Sequence, residues 1–312
     1  MTTKRDHGGG LDAAIRQFGG QRADWVDLST GINPVAYPVP ALSEQAWTAL
    51  PDTGLVDRLH AAARAFWDIP HGADIIAAPG ASALIAQIPR LMPPASVNIP
   101  HPTYNEHAAS FANCGWQVKR DGNAQAQALV HPNNPDGRLW ASSDLTAPLS
   151  IIDESFCDVA PSDSLVRHAA QPGTIVLKSF GKFWGLAGLR LGFAIGDAAL
   201  IGQLREMLGP WPVSGVALEV GTHALRDEAW AEATRKRLMM DSERLDALIC
   251  NQGATLLGGT TLFRLYQVDD ALRWQDRLAR HHIWTRIFPY ADNWIRLGLP
   301  APDAWDRLEV AF

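Results

Sequence analysis

Lys178-Ser179-Phe180-Gly181-Lys182-Phe183-Trp184-Gly185-Leu186-Ala187-Gly188-Leu189-Arg190-Leu191-Gly192 decides how this 312-residue chain is read. The stretch follows Thr174 to Leu177, a short apolar run that reads as a buried strand. It then breaks into glycines and small residues, which let backbone pass close to another group. Within it stand a Ser, a Lys three residues on, and an Arg eight residues after that. An amine on a mobile stem beside hydroxyl and guanidinium donors suits a Schiff base next to a bound phosphate. The alternative is a glycine-rich turn carrying two solvated lysines.

Composition narrows the choice. The chain is 47% hydrophobic, enough for a sizeable core in one or two domains. Its 27 Lys+Arg against 33 Asp+Glu give a net charge of -6, with no basic run to bind nucleic acid or an anionic membrane surface. There are only five lysines (Lys4, Lys119, Lys178, Lys182 and Lys236), and two of them lie in the opening stretch. Cys114, Cys157 and Cys250 are far apart and show no metal-ligand spacing, so they read as small buried hydrophobes in a reducing cytoplasm, and no metal is expected. Met1 to Asp6 is polar and gives no signal-peptide pattern. No run of 18 apolar residues suggests a membrane span.

Outward from the stretch the pattern alternates strand and helix. Gly54 to Trp67 has helical periodicity. The short strands Ile75–Ala78, Val97–Ile99, Ala128–Val130, Leu149–Ile152, Thr174–Leu177 and Leu191–Ile195 follow, with helices over 83–91 and after Tyr104. This alternation argues an α/β fold with a mostly parallel sheet, whose ligands bind at the carboxyl ends of the strands. Those ends carry Gly80-Ala81-Ser82, Asn134-Pro135-Asp136-Gly137, Asp153-Glu154 and Lys178 onward. The span from Asn134 to Asp153 leaves room for only a small crossover helix. After Pro210-Trp211-Pro212 the character changes. Val216 to Cys250 is largely helical, then come strands over 261–266, 283–288 and 294–297 and a helix over 272–282, a smaller α+β domain. The expected division is an N-terminal arm, 1–36, contributing to the small domain; a large domain, 37–212; and a small C-terminal domain, 213–312.

Each strand end has its own chemistry. Gly80, Ala81 and Ser82 open a helix, where backbone N–H groups and a hydroxyl can bind phosphate. The Asn134 amide can donate to a phenolate oxygen, or the Asn-Pro pair is a turn. Asp153 is a carboxylate that is costly to bury alone. It serves either a ring N–H or the cap of the following segment.

Taken together and in this order, Asn134-Pro135-Asp136-Gly137, Asp153-Glu154-Ser155-Phe156, Ser179-Phe180-Gly181-Lys182 and Gly185 to Gly192 resemble the fold-type I pyridoxal-phosphate enzymes, the aspartate aminotransferase superfamily. The resemblance implies a cofactor, pyridoxal 5'-phosphate, and a homodimer with sites at the interface. It implies Lys182 as the Schiff-base lysine, since the family's Lys-to-Arg spacing of eight is met by Lys182 and Arg190 and not by Lys178. Asp153 would pair with the pyridine nitrogen, Asn134 with the cofactor's O3′, and Ser179, Arg190, Gly80, Ala81 and Ser82 with its phosphate. Tyr104 would stack on the ring and Arg296 would hold the substrate carboxylate. Three positions depart from the family. Phe156 and Leu50 stand where relatives have Tyr, and Gly181 where they often have Ser or Thr.

His7-Gly8-Gly9 and Asp27-Leu28-Ser29-Thr30-Gly31-Ile32-Asn33-Pro34 resemble the start of the L-threonine-O-3-phosphate decarboxylases of cobalamin biosynthesis, relatives of histidinol-phosphate aminotransferases. Phe156 also suits that subgroup. The resemblance implies decarboxylation of a phosphorylated amino acid, with transamination as the alternative. His7 and Asn33 then stand as candidates for the substrate phosphate or the site's mouth, or else as an ordered arm and a turn.

Overall fold

The computed structural model describes residues 7–312. The Met1–Asp6 stretch and Lys4 lie outside the described residues. The chain forms two compact units, one of Ala36–Asn134 and Arg138–Glu232, the other of the described residues up to Val35 with Pro135–Gly137 and Ala233–Phe312.

The larger unit is built on a seven-stranded sheet. Its strands are β1 (Asp74–Ala78), β2 (Ser96–Asn98), β3 (Gln117–Lys119), β4 (Ala126–Val130), β5 (Leu149–Asp153), β6 (Thr174–Ser179) and β7 (Gly192–Gly196), in the order β1-β7-β6-β5-β4-β2-β3. Only β7 runs antiparallel to its neighbours. β4, β5 and β7 are buried along their whole length, as unbroken apolar runs are in a sheet covered on both faces.

Register places the strand ends. Val130, Asp153 and Leu177 stand in one row across β4, β5 and β6. Two residues further along, Ala78, Gly192 and Ser179 form the next row across β1, β7 and β6. Asp153 and Ser179 are therefore one strand apart and two residues along, about 8 Å by strand geometry.

The crossover from Asn134 to β5 is a single 3₁₀ turn, Ser142–Asp144, as short as its span requires. The helix Ala198–Leu208 was not anticipated. Asp197 caps it, accepting from the Ala199 and Leu200 N–H groups. The helical stretch to Cys250 is two helices, Gly215–Arg226 and Glu228–Cys250. Asp227 interrupts it and accepts from the Trp230 N–H at 3.0 Å, restarting the helix.

The smaller unit holds a four-stranded antiparallel sheet of β8 (Thr255–Thr260), β9 (Phe263–Gln267), β10 (Arg286–Phe288) and β11 (Ala291–Gly298), ordered β10-β11-β9-β8. Gly258 and Gly259 lie within β8. A side chain on Gly258 would strike the Asp136 carbonyl oxygen, and one on Gly137 the Gly259 carbonyl oxygen, so only glycine admits the approach. Val26–Asp27 forms a two-residue strand that pairs in parallel with Ile283–Trp284. It rests on a small core of Leu11, Ala14, Trp25 and Ala279. Among the described residues no helix is long and apolar enough to cross a membrane.

Candidate active site

Asp153 ends β5 as a buried carboxylate. Burial favours its neutral form, but the surroundings outweigh that. His107 Nε2 lies 2.8 Å from Oδ2, while the Ser155 hydroxyl and N–H donate to Oδ1 at 2.5 and 3.0 Å. Together they hold the carboxyl below its ordinary range, so it is ionised at neutral pH. Tyr104 precedes the helix Asn105–Asn113, and its ring meets that of His107 edge-on at 6.2 Å. His107 did not emerge from the sequence reading. Its one signal was the spacing Tyr104-x-x-His107, which puts both side chains on neighbouring turns of one helix start.

The second row of strand ends forms a positively charged cradle. Gly80 adopts φ +84° and leads into the helix Ala81–Gln87. A Cβ on Gly80 would lie 2.6 Å from Nη2 of Arg190, so the guanidinium rests directly on this backbone. Arg190 itself is left-handed at φ 55°, unusual for a residue with a side chain, and donates to the Ala187 carbonyl at 3.0 Å. The Gly192 backbone is equally close to Ala81. The Ser179 hydroxyl accepts from the Gly181 N–H at 3.3 Å. Ser82 and Arg190 are exposed and Ser179 half-buried, so the cradle faces solvent. A Cβ at Gly181 would meet only ordinary contacts of 3.4–3.6 Å, so glycine is not required there.

Asn134 follows β4 and is half-buried. The turn before it is held by Asn133, which accepts from Thr103 Oγ1 at 2.6 Å, donates to the Pro102 carbonyl at 2.9 Å, and donates its N–H to the Arg138 carbonyl at 2.8 Å.

The two lysines differ sharply. Lys178 is fully buried, with Nζ 2.6 Å from Glu154 Oε2 and 3.5 Å from Asp158 Oδ1. Burial alone would lower its pKa, but the two carboxylates raise it above the ordinary lysine value. A permanently protonated amine is no nucleophile. Lys182 is half-buried, and its Nζ stands 5.0 Å above the centre of the Phe156 ring.

In the smaller unit, Arg296 on β11 is buried and donates to the Ser29 carbonyl. Its guanidinium also lies 5.1 Å from the Phe263 ring centre. Burial, and then the charge of Arg286, lower its pKa to about 9. Arg286 faces Arg296 in the ladder between β10 and β11 and donates to the His7 carbonyl at 2.9 Å. The sequence reading missed Arg286, since a lone Arg in a strand carries no signal until the register is known. Two guanidinium groups on adjacent strands favour an anion. Asn33 is buried, and its Oδ1 accepts from both the Val35 N–H at 3.1 Å and Arg237 Nη2 at 2.6 Å.

Pyridoxal phosphate fits the larger unit's residues. A guanidinium packed on a side-chain-free backbone suits its phosphate, and an ionised buried carboxylate suits its ring N–H. Comparison with known proteins agrees. Residues 119–304 match the family model for aminotransferase class I and II. A threonine-phosphate decarboxylase of Pseudomonas aeruginosa is 39% identical, covering 98% of this chain and 96% of its own. One from Sinorhizobium is 40% identical over 96% of this chain and 94% of its own. Among solved structures, a histidinol-phosphate aminotransferase of Sinorhizobium meliloti in complex with pyridoxal-5'-phosphate superposes with a TM-score of 0.80 at 20% identity, over 97% of this chain and 93% of its own, a likeness of fold. With strand order, site chemistry and full-length relatives in agreement, the chain belongs to the aminotransferase class I and II family, with the fold-type I architecture.

Proposed function

We propose that this chain uses pyridoxal 5'-phosphate to decarboxylate L-threonine O-3-phosphate, giving (R)-1-amino-2-propanol phosphate and CO2 for cobalamin biosynthesis. The observation that carries the reading is the 39 and 40% identity to two threonine-phosphate decarboxylases over nearly the whole chain. The aminotransferase likeness at 20% identity resides in the fold.

The chemistry supplied by the cofactor, when bound, is an electron sink conjugated to the substrate's Cα. Gly80, Ala81, Ser82, Ser179 and Arg190 would hold its phosphate, Tyr104 would cover its ring and Asn134 its phenolate oxygen. Asp153, ionised by His107 and Ser155, would keep a proton on the ring nitrogen. Lys182 would hold the cofactor through Nζ and would supply the proton that takes the place of CO2 at Cα. Arg296 orients the substrate carboxylate, with Arg286 adding positive charge. His7 and Asn33 are assigned to the substrate's own phosphate or the mouth of the site.

Trp47, Leu50 and Trp211 are more than half exposed in the single chain, apolar surface that a second copy would cover in a homodimer. Three free thiols fit a reducing cytoplasm. The test is to load the protein with pyridoxal phosphate, add L-threonine O-3-phosphate and measure CO2. A visible cofactor band and CO2 release are expected. A band without CO2 rejects the decarboxylase reading.

A further inference from the structure

Two segments that carry the proposed chemistry are cross-braced by a buried charged cluster with no assigned role. Consecutive side chains at a strand end point to opposite faces. Asp153 meets His107, whereas Glu154 meets Lys178. At one end of the brace Glu154 Oε2 lies 2.6 Å from Lys178 Nζ. At the other, Asp158 Oδ2 accepts from Trp184 Nε1 at 3.2 Å. The diagonal is Lys178 Nζ to Asp158 Oδ1, 3.5 Å. Lys182 and Phe156 lie between these partners in sequence, and Lys182 Nζ sits over the Phe156 ring.

The remaining valences are filled. Glu154 accepts from the Leu165 N–H at 2.6 Å and the Ser164 hydroxyl at 2.7 Å, and Asp158 accepts from Trp67 Nε1 at 2.9 Å. Trp184 stacks against Phe180 and Trp230 with ring centres 5.2 and 5.3 Å apart. The turn holding Lys182 closes through Gly185 N–H to the Lys182 carbonyl and Leu186 N–H to the Phe180 carbonyl. His131 and Cys157 lie close enough to Glu154 for a metal set. Both His131 nitrogens are engaged, however, with the Trp140 N–H at 3.0 Å and the Asp163 carbonyl at 2.7 Å. The cluster is therefore an ion-pair brace and not a metal site.

A buried ion triad is poor value as stability, since well-packed apolar residues do as well or better. What it supplies is geometry. We infer that Lys178, Glu154 and Asp158 are positioning residues that hold the Lys182 turn, through Trp184, against the segment running from Asp153 to Phe156. The catalytic consequence rests on the role proposed for Lys182; the brace itself does not.

The test uses Trp184→Phe, which keeps the stack and deletes one donor, and Asp158→Asn, with Lys178→Met and Lys178→Arg as a loss-and-rescue pair. In cofactor-free protein, amide exchange over 180–186 should accelerate at least about tenfold in Trp184→Phe and Asp158→Asn. In loaded protein the visible cofactor band should shift, and kcat should fall about tenfold with KM within about twofold. Lys178→Arg should recover most of the activity that Lys178→Met loses. Wild-type exchange, band and kcat in both Trp184→Phe and Asp158→Asn would overturn the inference, as would a loss confined to KM. If wild type gives no borohydride-fixed adduct at Lys182, the decarboxylase reading falls and the exchange measurement still decides the brace.

Discussion

Asp153 is buried with a full charge, and its neighbours determine both its chemistry and its cost. With its folded pKa below the ordinary carboxylate value of about 3.9, it stabilises the fold above that pH, and this contribution is lost as pH falls through the folded pKa. Asp153→Asn should therefore flatten the acid limb of the stability curve, measured as urea midpoints between about pH 5 and pH 2. The same change should lower kcat at least about a hundredfold, the scale of losing one preorganised electrostatic partner. Lys178→Met strands two buried carboxylates and should cost about 3–5 kcal/mol in denaturant unfolding of the cofactor-free protein. At this scale the sequence was readable where residue type and order are distinctive. Asp153 and Lys182 stood out by their place in a run of motifs. His107 and Arg286 did not, because their meaning lies in what packs across from them. Nor did spacing alone reveal that Lys178 answers to Glu154 and Asp158, two carboxylates from another strand end.

Elements place the site, and their ends were the legible part. The apolar runs at 75–78, 128–130, 149–152 and 174–177 are strands because they are buried on both faces, a pattern that composition alone reveals. Elements with little apolar signal escaped. β3 has one apolar residue in three, whereas the Ala198–Leu208 helix carries Leu200, Ile201, Leu204 and Leu208 at helical spacing behind the Asp197 cap, a signal present in the sequence and not used. β8 was not read as a strand, since it holds Gly258 and Gly259, and glycine weakens a strand pattern. Here they admit the backbone of Asp136 and Gly137. The cradle offers two opposite tests. Gly80→Ala forces a Cβ onto Arg190 at a positive φ, and cofactor affinity should fall at least about tenfold by fluorescence titration. Gly181→Ser meets only ordinary contacts and restores a hydroxyl beside Ser179. Affinity should rise severalfold, the worth of about one hydrogen bond of roughly 1 kcal/mol.

For the whole molecule, the composition indicated a chain with a large core, and the strand–helix alternation indicated an α/β sheet. The strand order β1-β7-β6-β5-β4-β2-β3 came only from pairing, since no local pattern tells β7 to run against its neighbours. The proposed homodimer predicts twice the chain mass by sedimentation at micromolar concentration; a monomer mass would reject it. Which bond at Cα breaks is decided by following both fates of one substrate. Protein loaded with pyridoxal phosphate is given carboxyl-labelled L-threonine O-3-phosphate, with and without a 2-oxo acid. Labelled CO2 and (R)-1-amino-2-propanol phosphate should form in equal amounts, independent of the 2-oxo acid, and neither should form with Lys182→Ala. Amino-group transfer to the 2-oxo acid with the label retained would contradict decarboxylation.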